Sequence, residues 1–239
     1  MFERRLTVIV GHFGSGKTEI AVNGALCMAS RGQPVSLVDL DVVKPYFRSR
    51  EACQVLQDAG IELVAPGGES ATADLPIILP RVRAVCRDTS RRVLVDAGGD
   101  ATGARVLGSL SDVLDGLDMD FLLVLNFRRP FTYDVDSAVA MARGIETVAR
   151  RKLTGVVSNT HLMAETTIEL VNEGLRYSRD VAEILGVDVR AVVIEDRLAD
   201  CLGETEAGCE VFHLTRVVQP GVGTPRPRTQ PSGPPFVVR

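Results

Sequence analysis

The sequence predicts an α/β domain, doubly wound around a mostly parallel sheet with helices on both faces. Three observations lead there. Short apolar runs rich in Val, Leu and Ile recur along the chain, as expected of strands buried on both faces of a parallel sheet. Segments with apolar residues at helical spacing lie between them. The connections have the length of right-handed β-α-β crossovers rather than of hairpins.

Taken in order, strands are expected at 5–10, 34–39, 61–64, 91–96, 120–126, 153–158 and 189–194. A helix from Lys17 to Ser30 is apolar on nearly every side and ends at Arg31-Gly32 ahead of Pro34, so it should pack against the sheet. A second helix spans about 134–151, with Val135, Val139, Ala142 and Ile145 on one face and Arg150, Arg151 and Lys152 near its negative end. Between 165 and 185, Ile168, Val171, Leu175, Ala182 and Leu185 recur at helical spacing before a stop at Gly186. No internal repeat is visible. From Gln219 onward the chain carries six of its twelve prolines and almost no apolar cluster before Phe236. Such a segment buries too little surface to offset its ordering entropy. The expected organisation is one domain over residues 1–218 and a disordered Pro/Gly/Arg-rich tail over 219–239.

Composition narrows the function classes. The formal charge of −4 is uneven, because residues 216–239 carry four Arg and no acid. The remainder holds 23 basic against 31 acidic groups, which argues against a nucleic-acid surface. Five cysteines, at 27, 53, 86, 201 and 209, form no C-x-C or C-x-x-C pair, so neither a disulfide framework nor a zinc knuckle is suggested. The N-terminal apolar run stops after about five residues, giving no signal-peptide or membrane-span layout and an expected cytoplasmic location.

The chemistry begins at Gly11-His12-Phe13-Gly14-Ser15-Gly16-Lys17-Thr18, a full match to G-x-x-x-x-G-K-[ST] between an apolar strand and an apolar helix. Glycines let backbone N–H groups turn inward around a β-phosphate, and the helix start adds its positive dipole end. Lys17 reaches the β and γ oxygens, and the Thr18 hydroxyl is an Mg²⁺ ligand. A dinucleotide fingerprint fails, since Glu19 stands where a third small residue belongs. Carboxylates at strand ends complete the pattern: Asp39 and Asp41 after one strand, and Asp96 followed by Gly98-Gly99 after another. Asp96 reads as a Walker-B-type acid.

The loop, the D-x-D and the D-x-G-G together resemble the SIMIBI-class P-loop NTPases, the MinD/ParA/CobQ-CobB-like group, over roughly residues 5 to 195. The resemblance implies a mostly parallel sheet of seven or eight strands. It implies that Asp39 or Asp41 lies near Mg²⁺ and the attacking water, that Asp96 holds Mg²⁺ through water, and that Asn159 meets an adenine edge. The nucleotide site expected on these grounds comprises residues Gly11 through Glu19 with Asn159. Its catalytic groups are Lys17, Asp39 and Asp41, and its metal ligands are Thr18, Asp41 and Asp96. MinD-like relatives place a lysine where this chain has His12, and that lysine reaches across a nucleotide-sandwiched dimer. Arg48, Arg50, Arg128 and Arg129 are candidates to replace it. The loop also resembles that of CobW/UreG-type metallochaperone GTPases, but no N-K-x-D for guanine is present and the histidines at 12, 161 and 213 are scattered. ATP is therefore favoured over GTP.

The leading expectation is a cytoplasmic Mg²⁺-dependent ATPase whose hydrolysis resets a conformational switch around residues 41–50 and 96–103. It would form a homodimer on ATP and serve a protein partner or cargo. Three alternatives are a small-molecule ATP-dependent phosphotransferase or ligase of dethiobiotin-synthetase-like type, with a pocket near Tyr46, Arg48 and Arg128, a GTP-dependent metallochaperone, and a nucleotide-bound adaptor without turnover. The proline-rich tail argues against a membrane-binding amphipathic helix, and the acidic body against DNA.

Overall fold

The computed structural model describes residues 1–40, 50–65, 75–98, 101–199 and 208–217. The expectations for Asp41, Tyr46, Arg48, Cys201 and the tail from Gln219 lie outside the described residues. Among the described residues eight strands form one sheet: β1 (Leu6–Val10), β2 (Val35–Asp39), β3 (Glu62–Val64), β4 (Arg92–Asp96), β5 (Met119–Leu125), β6 (Gly155–Ser158), β7 (Asp188–Glu195) and β8 (Glu210–Leu214). Their spatial order is β3-β2-β4-β1-β5-β6-β7-β8, and every pairing is parallel. All seven expected strands are present. The eighth is an addition, because Glu210-Val211-Phe212-His213-Leu214 mixes polar and apolar residues as an edge strand does and lacks a continuous apolar run.

Helices cover both faces: α1 (Lys17–Ser30), α2 (Arg50–Asp58), α3 (Leu75–Arg87), α4 (Ala101–Ser109), α5 (Ser111–Leu114), α6 (Val135–Ala149) and α7 (Ile168–Leu185). The strands alternate accordingly. Leu6, Val8 and Val10 of β1 join the cluster that α3, α4 and α6 complete, whereas Ile9 joins the one beneath α1. Helix α1 is buried along most of its length, as its apolar sequence predicts. At its Gly24 a Cβ would stand 2.6 Å from the Phe2 ring, so the helix packs closely against the segment that precedes β1.

Capping fixes where the later helices begin and end. Asp134 accepts from the Ser137 amide at 2.8 Å and closes a capping box at α6. Arg150 ends that helix in the left-handed region, at φ 53°. The basic trio therefore falls beyond the last turn, and two of its members pair with acids: Arg151 with Asp115 at 2.8 Å and Lys152 with Glu146 at 2.7 Å. Thr167 caps α7 at one end and Gly186, at φ 69°, at the other. The helix starts at Ile168, three residues after the expected 165, and residues 163–165 form a separate 3-10 turn before it. Among the described residues no helix is long and apolar enough to cross a membrane.

Candidate functional site

The polar residues that end the apolar strands meet at the carboxyl edge of the sheet, where ligands bind in open α/β folds. The loop between β1 and α1 lies at the centre of that edge. It is held by tight packing: a Cβ on Gly11 would stand 2.3 Å from the Val124 carbonyl oxygen, and one on Gly16, whose φ is +90°, 2.2 Å from Asn159 Nδ2. Gly16 caps α1 with no side-chain bond, at a helix N-terminus of the kind that favours an anion. Lys17 is 6% exposed, and its Nζ donates to the His12 carbonyl at 3.2 Å across the loop.

Thr18, Asp96 and Asp39 come together beside it. Thr18 Oγ1 donates to Asp96 Oδ2 at 2.5 Å. Asp39 and Asp96 are register partners on adjacent strands, and both are buried. This set of hard oxygen donors fits Mg²⁺, which takes one or two carboxylates and completes its shell with water and phosphate. Among the described residues no group of three or more His, Cys, Asp or Glu could hold a metal without such help.

The remaining expected residues divide. Asn159 stands at the end of β6 as expected, yet its Nδ2 donates to the Ser15 carbonyl at 2.6 Å, so this N–H braces the loop. Glu19 Oε2 accepts from the Val217 amide at 3.2 Å and ties α1 to the segment after β8. His12 packs its ring 4.6 Å from that of Phe131, and Phe13 is exposed. Of the arginine candidates, Arg129 reaches the loop, with Nε donating to the Gly14 carbonyl at 2.9 Å. Arg128 instead pairs with Glu173 of α7.

Four contributors were not anticipated. Asn126, fully buried at the end of β5, gathers the loops around it: Nδ2 lies 3.4 Å from the Gly14 carbonyl and 3.3 Å from that of His161, while Oδ1 accepts from the Arg128 amide at 2.9 Å. Its signal was available, since it is a polar residue directly ending an apolar run, as Asp39, Asp96 and Asn159 are. His161 lines the site with its pKa lowered to about 4, by burial first and then by the Arg129 charge. The imidazole is therefore neutral at pH 7. Glu195 and Arg216, at the ends of β7 and β8, line the same cavity of about 190 Å³ as Lys17 and Thr18.

No family model and no curated protein matches the sequence. Solved structures do. The cell division protein FtsY of Thermotoga maritima superimposes with a TM-score of 0.53 and 15% identity, over 79% of this chain and 61% of that one. The signal recognition particle 54 kDa protein of Aeropyrum pernix, solved with GDP, matches with a TM-score of 0.53 and 14% identity, over 89% of this chain and 42% of that one. The chain shares with these proteins a P-loop NTPase α/β fold. Chloroplast FtsY of Physcomitrella patens has the same likeness, with a TM-score of 0.53 at 22% identity, over 79% of this chain and 57% of that one. The chain spans less than two thirds of the length of these SIMIBI-class proteins. The all-parallel eight-stranded sheet agrees with the architecture the sequence motifs imply.

Proposed function

We propose that the chain is a Mg²⁺-dependent nucleoside triphosphatase of the MinD/ParA-like kind, with ATP as its nucleotide, whose hydrolysis cycle switches its conformation. One observation carries this reading: Lys17, Thr18 and Asp96 converge at the mouth of the phosphate loop, with Thr18 and Asp96 in direct contact. The loop amides and the α1 N-terminus receive the β-phosphate, and Lys17 turns from the His12 carbonyl to the β and γ oxygens. Thr18 and Asp96 would hold Mg²⁺, with Asp39 beside them, and the ion would neutralise charge developing on the phosphates. Asp39 and Asp41 are assigned to positioning the attacking water. Arg129, whose Nε donates to the Gly14 carbonyl, is assigned to support the transferring phosphoryl in place of the lysine that His12 replaces. Dimerisation on ATP and a protein partner in the cytoplasm complete the proposal.

A second reading takes GTP, because the Aeropyrum pernix neighbour was solved with GDP. Against it stands Leu162, which occupies the third position after Asn159 where N-K-x-D places its guanine-reading aspartate.

Phosphate release from ATP and from GTP with Mg²⁺, measured across protein concentrations with Lys17→Ala as the blank, tests both readings. Turnover of ATP that disappears in Lys17→Ala supports the ATPase, and specific activity rising with protein concentration supports a nucleotide-linked dimer. Turnover of GTP alone selects the second reading. Binding without turnover of either would sink the hydrolase.

A further inference from the structure

The end of the cavity remote from Asp96 is framed by a carboxylate pinned between two guanidinium groups. Glu195 Oε1 accepts from Arg216 Nε at 2.7 Å and also from Arg216 Nη2. Its Oε2 accepts from Arg197 Nε at 2.8 Å. Arg197 donates onward to the carbonyls of Met163, at 2.8 Å, and Thr166, at 2.9 Å, fixing the turn that forms one wall of the cavity. Arg216 is anchored through its chain neighbours. Thr215 exchanges two bonds with Asn23 of α1, at 3.0 and 2.9 Å, and the Val217 amide donates to Glu19. The side-on bond to Glu195 fixes the plane of the Arg216 guanidinium and neutralises it in place.

We infer that Arg216 is the stacking platform for the base of the bound nucleotide, and that it reads the face of the base and not its edge. The inference rests on the nucleotide reading above. One cavity runs from Lys17 and Thr18 to Arg216, so phosphates seated on the loop direct the base toward the ends of β6, β7 and β8. Val171, Val193 and Leu214 give that end an apolar lining. A planar cation held in fixed orientation beside an apolar slot is suited to a flat π-face. Edge reading by Glu195 is disfavoured by its bonds: Oε1 already takes two donors and Oε2 a third, so the paired acceptors that a guanine edge requires are not on offer. Arg216 thus contributes equally to ATP and GTP, and preference between them is left to the loop from Asn159 to Leu162.

Titration of the full chain with N-methylanthraniloyl-labelled ATP and GTP in Mg²⁺, and displacement of the label by inorganic tripolyphosphate, tests this. Arg216→Ala should weaken both labelled nucleotides by the same factor, roughly tenfold. Arg216→Lys should weaken them similarly, because an ammonium has no plane to stack. The intrinsic affinity for tripolyphosphate should not change in either variant. Three results overturn the inference: no loss in either variant, a loss for one purine several-fold larger than for the other, or an equal loss for tripolyphosphate, which would mean that Arg216 serves the phosphates or the fold. Failure of the underlying reading looks different, since the unmodified chain would then bind all three ligands no better than Lys17→Ala does.

Discussion

Asn159 and Gly16 fix each other at the phosphate loop. The amide of Asn159 fills the space that any Cβ on Gly16 would need and donates to the neighbouring Ser15 carbonyl. The loop is thus shaped by β6 as well as by its own glycines. On the metal side, Asp96→Asn keeps the shape and removes the charge. On the proposed Mg²⁺ role of Asp96, it should lower Mg²⁺-dependent phosphate release by at least about tenfold while the urea midpoint moves little, since the charge that holds the ion is lost. His161 gives a pH signature. Its folded pKa of about 4 lies below the ordinary 6.5, so between those values the unfolded chain binds more protons. Folding stability must then fall as pH drops from about 6.5 toward 4, by an amount on the order of 2–3 kcal/mol. Urea unfolding of the native chain and of His161→Gln at pH 7.5 and pH 5 measures this. The native chain should lose more stability than the variant, and parallel losses would refute the assignment.

At the scale of elements, β8 has two roles. It closes the sheet beyond β7, and its continuation through residues 215–217 is laced to Asn23 and Glu19 of α1, bringing Arg216 to the cavity. Phe212 is the apolar anchor of this strand, 5% exposed and packed edge-on against Phe2 with ring centroids 5.8 Å apart. Phe212→Ala should cost about 3 kcal/mol in denaturant unfolding, by lost burial and a residual cavity. Because the strand also carries Arg216, the same variant should weaken nucleotide binding, which titration with labelled ATP detects. Helix α1, by contrast, is specified by its own sequence: its apolar run, the Gly16 start and the Arg31-Gly32 stop all appear where the structure places them.

Over the whole molecule, a single edge of one parallel sheet collects Lys17 and Thr18 after β1, Asp39 after β2, Asp96 after β4, Asn126 after β5, Asn159 after β6 and Glu195 after β7. Ligation there couples both halves of the sheet to one bound molecule. ATP with Mg²⁺ at a hundred times its dissociation constant should stabilise the fold by about 2.7 kcal/mol. For a chain of this size that raises the thermal midpoint by roughly 5–10 °C. Differential scanning fluorimetry of the native chain and Lys17→Ala measures it, and equal shifts in both would exclude the loop as the site.

The sequence by itself determined the fold class, seven of the eight strands, the phosphate loop and the strand-end carboxylates. Each of these is written locally: apolar runs set strands, and a glycine-rich loop before an apolar helix sets a phosphate cradle. Only the tertiary structure decided which polar groups share the cavity. His161, Glu195 and Arg216 line it yet lie far from the loop along the chain, and the order of strands in the sheet brings them to it. Strand order and the pairing of distant side chains are set by how the helices and sheet close over a common core, a property of the packed molecule that no short stretch of its sequence carries.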